Sequence, residues 1–275
     1  MLWQGVPITG WSVHDNLFLR LGNDGINEFD PGSANVIHDN TFAGGAQLGV
    51  MSDADATIIA NNVLTGLRVG IASAGSPAAA VQRVRRNALW QNTTDVEGTA
   101  FAGVLPPNNF TSDPLFVSPQ NDDYRLTAAS PLIDAGDRHL PQRADLDRVA
   151  GAVDSDLNGS PITDVGAYER TPVTVTVAAT NGVSLSIQVA APTTTLPLAF
   201  VILGLDEGVI RLPGLSPILI EPTALVTPGL VAAMPYAVTL PIPALPVGTR
   251  AIVQGFGVDI GRSLIVSGRA WRVQF

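Results

Sequence analysis

The sequence predicts an all-β chain of 275 residues: parallel β-solenoid coils first, an antiparallel β-sandwich last. Three observations carry this. Four segments near the start align on an asparagine at a spacing of 24, 22 and 25 residues. Period-2 alternation is common while helical 3.6-residue periodicity is hard to find. Gly (27) and Pro (21) cut the apolar runs short.

The repeats are Val13-His14-Asp15-Asn16-Leu17-Phe18, Ile37-His38-Asp39-Asn40-Thr41-Phe42, Ile59-Ala60-Asn61-Asn62-Val63-Leu64 and Val84-Arg85-Arg86-Asn87-Ala88-Leu89. A second register, Gly25-Ile26, Gly49-Val50 and Gly70-Ile71, follows each Asn by about nine residues. Repeats of this length are those of solenoid coils. Stacked coils lie ~4.8 Å apart, so equivalent residues pile on one another. Val13, Ile37, Ile59 and Val84 then form one inward stack, and Phe18, Phe42, Leu64 and Leu89 another. Asn16, Asn40, Asn62 and Asn87 form a ladder at a turn, where Asn both bonds to its copies and tolerates left-handed backbone.

The same alternation places His14, His38, Ala60 and Arg85 in one outward file, with Asp15, Asp39, Asn61 and Arg86 beside it. Stacked His next to stacked Asp suits contact with sugar hydroxyls or a weakly held metal; a solvated polar face is the plainer alternative. Coils occupy residues 1–105. Pro106-Pro107-Asn108-Asn109 opens a loop-rich segment over 106–170. Residues 171–275 read as the sandwich. There Val173–Val177 and Val183–Val189 flank Asn181-Gly182, a strong hairpin signal. Further strands are expected at 198–203, 208–212, 218–220, 237–242, 249–258 and 263–275. Prolines 213, 217, 222, 228, 235, 241, 243 and 246 must lie at strand ends, edges or loops.

Charge excludes several functions. The net charge is −9, and all 15 cations are arginine. Residues from 171 on carry +1, which leaves −10 for the first 170. An acidic chain repels nucleic acid. With no Lys and no Cys, a Schiff base, a P-loop, a thiolate metal site and a cysteine nucleophile are excluded. The longest apolar run, Leu196 to Leu205, is too short for a transmembrane helix.

Asp113-Pro114-Leu115-Phe116, Asp123-Tyr124-Arg125-Leu126, Ser130-Pro131-Leu132-Ile133-Asp134-Ala135-Gly136 and Asp164-Val165-Gly166-Ala167-Tyr168-Glu169 occur in that order. Residues 108–170 thereby resemble the choice-of-anchor Q segment that ends many secreted bacterial right-handed parallel β-helix proteins of the pectate-lyase-like superfamily. The resemblance implies a right-handed helix closed by 106–170, an extracellular or cell-surface location, and extracellular polysaccharide or the cell envelope as partner. It also implies that coils, a cap and an export signal precede Met1, an N-terminal truncation.

Two function classes follow. One is a scaffold, anchor or carbohydrate-contacting region, non-catalytic in this fragment, with His14, His38, Arg85 and Trp90 touching the sugar. The other is the C-terminal part of a polysaccharide lyase or glycoside hydrolase, with His14, His38, Arg85, Asp15 and Asp39 as weak catalytic candidates. Arg83, Arg85 and Arg86 read either as a site for acidic sugars or as a solvated basic edge. Glu28, Asp30, Asp53 and Asp55 read as acidic turns. Asp154, Asp156, Asn158 and Asp164 supply hard oxygen ligands in a D-x-D-x-N-G loop, which suits Ca²⁺ without an EF-hand; an Asx-turn loop without metal is the alternative.

Overall fold

The computed structural model describes residues 9–275 apart from 31, 46, 142, 150, 192–195, 197, 205–206, 211–217, 221–224, 242–243, 245, 247–248, 260–263, 269–270 and 275. It divides into two compact units. One comprises the residues up to Pro141 with Ile162–Glu169; the other comprises Gln142–Pro161 and Arg170–Phe275.

The first unit is a parallel β-solenoid of about four coils. The first coil carries β1 (Ser12–His14), β2 (Leu17–Leu19) and β3 (Ile26–Glu28). The second carries β4 (Val36–His38), β5 (Thr41–Ala43) and β6 (Leu48–Ser52), and the third β7 (Ile58–Ala60), β8 (Val63–Thr65) and β9 (Val69–Ala72). The fourth has β10 (Val84–Arg85), β11 (Ala88–Trp90) and β12 (Thr94–Glu97). Like strands pair in parallel into three sheets: β1-β4-β7-β10, β2-β5-β8-β11 and β3-β6-β9-β12.

The registers are those the repeats predict. Val13 aligns with Ile37, Ile59 and Val84, and Phe18 with Phe42, Leu64 and Leu89. Ile26, Val50 and Ile71 form a third stack, which Val96 continues. The three stacks meet in one apolar core. Phe18 and Phe42 lie ring on ring with centroids 4.5 Å apart. Burying such a side chain contributes about 1.5–3 kcal/mol.

The Asn ladder forms and is longer than the repeats suggested. Nδ2 of Asn16 donates to Oδ1 of Asn40 (3.0 Å), Asn40 to Asn62 (3.0 Å), Asn62 to Asn87 (3.0 Å) and Asn87 to Asn109 (3.1 Å). Each acceptor Oδ1 also takes the backbone N–H of the preceding rung. The left-handed backbone expected of the ladder belongs one residue earlier: Asp15, Asp39, Asn61 and Arg86 have φ of 52–57°. The corner thus divides its work between two files. One turns the chain; the other ties coil to coil.

Gly25, Gly49 and Gly70 are required by close approach. A Cβ on Gly49 would stand 2.7 Å from the carbonyl oxygen of Gly70 and 2.6 Å from Leu64. An α-helix departs from the all-strand expectation: α1 (Pro77–Arg83) sits between β9 and β10 and buries Ala80. At seven residues it is too short to show a period, and Pro stands near its start, where helices tolerate it.

The loop-rich segment contributes a hairpin, β13 (Phe116–Ser118) with β14 (Asp123–Leu126). Leu126, Leu132 and Val165 pack on Val63 and Ala88, which point outward from the second sheet. That part of the solenoid's outer surface is therefore buried.

The second unit is antiparallel. Its strands are β15 (Thr174–Thr180), β16 (Ser184–Ala190), β17 (Leu198–Gly204), β18 (Glu207–Ile210), β19 (Ile218–Ile220), β20 (Leu225–Ala233), β21 (Tyr236–Pro241), β22 (Arg250–Asp259), β23 (Leu264–Ser267) and β24 (Trp271–Gln274). One sheet runs β15-β16-β21. Another runs β20-β17-β22-β23 with β24 also on β22, and β18 pairs β19. Val175, Leu185, Ile187 and Val189 of the first sheet share a core with Ala199, Val201 and Val253 of the second, and with Val149 and Val153. Two sheets over one core are compatible with a sandwich.

The Asn181-Gly182 hairpin is present, Thr180 facing Ser184. The stretch 263–275 holds two strands rather than one. Strand β20 was not expected, because Pro228 and Gly229 interrupt its apolar run; it is an edge strand with a register shift near Pro228, where a missing N–H is tolerated. Pro241 ends β21 and Pro246 lies outside the strands. Prolines 213, 217, 222 and 243 lie outside the described residues, as do positions 211 and 212 of the expected 208–212 strand.

Candidate functional site

The chemistry-bearing side chains of the solenoid gather at the Asn corner, on the outer face of the β1-β4-β7-β10 sheet. His14, His38, Ala60 and Arg85 stand in one file, as the alternation predicts. The rings of His14 and His38 stack with centroids 5.1 Å apart and planes at 26°. The left-handed residue after each His folds its carboxylate back on the ring. His14 Nδ1 lies 2.5 Å from Asp15 Oδ2, and His38 Nδ1 lies 2.5 Å from Asp39 Oδ2.

The file is not uniformly exposed, contrary to expectation. The His14 side chain is 23% exposed but that of His38 is 2% exposed, and Ala60 is buried. The closing segment bonds to the neighbouring file. Asn61 accepts the Asp137 N–H on Oδ1 (2.7 Å) and the Gly166 N–H on its backbone oxygen (2.8 Å). Burial pushes the Asp15 carboxyl above its ordinary range, aided by the neighbouring Asp39 charge and opposed by the His14 bond. Asp39 Oδ1 is buried without a hydrogen-bond partner.

Arg85 is tied into the closing segment. Its Nε donates to Asp137 Oδ2 at 2.6 Å and its Nη1 to the Gln82 carbonyl at 2.8 Å. Burial would raise the Asp137 pKa, but the His139 N–H and Arg85 outweigh it and hold the group below the usual carboxylate range. A guanidinium so held is fixed in orientation by two of its five N–H donors. Trp90 is half-buried on β11, in the second sheet, and is not part of the His file.

The basic and acidic turns also differ from expectation. Arg83 is buried, not a solvated edge. It donates to Ser73 Oγ, while its Nε and Nη1 have no partner. Burial lowers its pKa, opposed by the charges of Asp55, Glu28 and Asp53. Glu28 is buried too. It accepts from Asn35 Nδ2 (2.6 Å), Thr57 Oγ1 (3.0 Å) and Ser52 Oγ (2.6 Å). Asp53 and Asp55 accept the Ala74 and Ser76 N–H groups at 2.8 and 2.7 Å.

Asp154, Asp156 and Asn158 come together in the second unit as a self-bonded loop. Asp154 accepts the N–H of Asn158 (2.9 Å) and of Gly159 (2.7 Å). Asp156 accepts from Asn158 N (3.0 Å) and Nδ2 (2.7 Å). Burial raises the Asp154 pKa against these N–H bonds. Asp164 belongs to the first unit, where its Oδ1 accepts the Asp134 N–H at 2.8 Å.

Ser12 joins this cluster and is the member that the sequence reading missed. It is exposed on β1, two residues before His14, and its Oγ lies 3.0 Å from His38 Nε2. The contact is diagonal between coils, so it shows only once the register is known: Ser12 faces Val36, and His38 is two residues further on.

No family model and no curated protein matches the chain. Among solved structures, part of it is similar to the chicken interferon gamma receptor alpha chain, solved in a selenomethionine-substituted crystal. The identity is 12% and the TM-score 0.24, over 38% of this chain and 50% of that chain. The match thus spans half of the receptor chain, and a likeness this loose carries no argument. Among the described residues, no helix is long and apolar enough to cross a membrane.

Proposed function

We propose that this is a secreted or cell-surface protein in which a right-handed β-helix, closed by a choice-of-anchor Q-like segment and followed by a β-sandwich, acts as a scaffold or anchor that contacts extracellular carbohydrate. The stacked His14 and His38 rings with their paired carboxylates carry the reading. They form a rigid polar file whose His14 end is open, and hydrogen-bonding groups at coil spacing suit hydroxyls repeated along a sugar chain. A glycan array tests it: binding to at least one polysaccharide, lost in His14→Ala, supports the reading. An array with no bound glycan removes it.

A second reading, a polysaccharide lyase or glycoside hydrolase, is favoured by one observation. Burial raises the Asp15 pKa beside the Asp39 carboxylate, the direction a general acid needs. Release of unsaturated uronides or reducing ends, abolished in Asp15→Asn, would establish it. Calcium at Asp154, Asp156 and Asn158 is a separate proposal, supported by their clustered carboxylate and amide oxygens. Added Ca²⁺ should raise the melting temperature of the second unit; an unchanged value leaves a plain Asx-turn loop.

A further inference from the structure

We propose that Ser12, His38 and Asp39 form a nucleophile–base–orienter chain, and that Ser12 Oγ attacks carboxylic esters presented at the outer face of the β1-β4-β7-β10 sheet. The inference goes beyond carbohydrate contact and needs none of its residues to bind sugar.

The geometry meets the two contacts that such a chain requires. The nucleophile and base are 3.0 Å apart (Ser12 Oγ to His38 Nε2), and the base and orienter 2.5 Å apart (His38 Nδ1 to Asp39 Oδ2). The Asp39 carboxylate accepts only, so it holds the ring proton on Nδ1 and leaves Nε2 to take the serine proton. The ring cannot swing away: His38 is buried and stacked on His14. Exposure is arranged in the opposite sense along the chain, with Ser12 exposed and Asp39 buried. A structural serine that merely satisfied a buried imidazole would not need this gradient.

The step balances without a co-reactant other than water. The Ser12 hydroxyl proton passes to His38 Nε2 as Oγ bonds to the carbonyl carbon. The bond to the alcohol oxygen then breaks, and that alcohol leaves with the proton from Nε2. Water repeats the sequence on the acyl-serine, giving the carboxylic acid and restoring Ser12. Asp39 is a positioning residue and does not change protonation.

Two readouts test this on the full chain. A fluorophosphonate ester should form an adduct that peptide mass spectrometry places on Ser12. The adduct should be absent in Ser12→Ala and should form at least about 100-fold more slowly in Asp39→Asn, in which the ring proton is no longer held on Nδ1. The chain has no cysteine, so Ser12→Cys introduces a sole thiol. Beside His38 it should react with iodoacetamide at neutral pH about 10-fold faster than the thiol of Ser112→Cys, Ser112 being exposed in the loop-rich segment. The substitution at exposed Ser12 keeps the second test independent of folding defects. Absence of the adduct from Ser12 in folded protein, or an introduced thiol no faster than that at position 112, overturns the proposal.

Discussion

The two units use the same period-2 alternation and differ in what a strand meets. In the solenoid each strand lies beside its own equivalent one coil away, so like faces like: Phe18 on Phe42, Asn40 on Asn62. In the second unit the strands run antiparallel and no repeat sets which residues face each other, so Ile187 meets Val177 on one side and Val238 on the other. The consequence shows in the buried polar groups. The solenoid buries Asn40, Asn62 and Asn87 completely. Among the described residues of β15–β24, Gln254 is the buried polar side chain. An amide carries both a donor and an acceptor, so a file of amides satisfies itself, and the usual cost of burying polar atoms is offset.

The largest test of that contrast is Asn62→Ala. It removes the amide that donates towards the Ile37 and Ala60 carbonyls and Asn87, and that accepts from Asn40. It should destabilise the solenoid by about 3–5 kcal/mol, whereas Asn16→Ala at the ladder's end costs about 1 kcal/mol. Urea unfolding read by hydrogen exchange in β4–β8 measures both; equal losses would show that the ladder does not act between coils. Next is Gly49→Ala, whose Cβ clashes with the adjacent coil's backbone. A loss of about 2–3 kcal/mol is expected, against almost none for Gly22→Ala, which meets open space. In the second unit Ile187→Val should cost about 1 kcal/mol, an ordinary core loss. A much larger value would mean that this core, too, depends on exact stacking.

Smaller effects come from the charges. Asp137 has a lowered pKa in the folded chain. Its contribution is fully present above the ordinary carboxylate value and lost as the pH falls through the lower folded value. Asp137→Asn should therefore flatten the acid limb of a stability–pH profile. A wild-type slope retained in the variant would locate that titration elsewhere. Smallest is Asp122→Asn, which breaks a surface pair with Arg20; the melting temperature should not change measurably.

By itself the sequence determined the coil. Repeated Asn with aliphatic and aromatic neighbours at fixed offsets leaves one way to bury both faces, and the Val13, Phe18 and Ile26 stacks follow. The Asn181-Gly182 turn was legible for a similar reason, since turn chemistry is local. The sequence showed that His14, His38, Asp15 and Asp39 share neighbouring files, but not how they are used. Asn61, beside the His file, is bonded by Asp137 and Gly166, some 76 and 105 residues away along the chain, and no local pattern encodes such a contact. Pairing of Arg85 with Asp137, the buried Arg83 and Glu28, and the Ser12–His38 diagonal were likewise decided by tertiary structure. Side-chain identity sets which face a residue takes, while only the packed chain sets what stands opposite it.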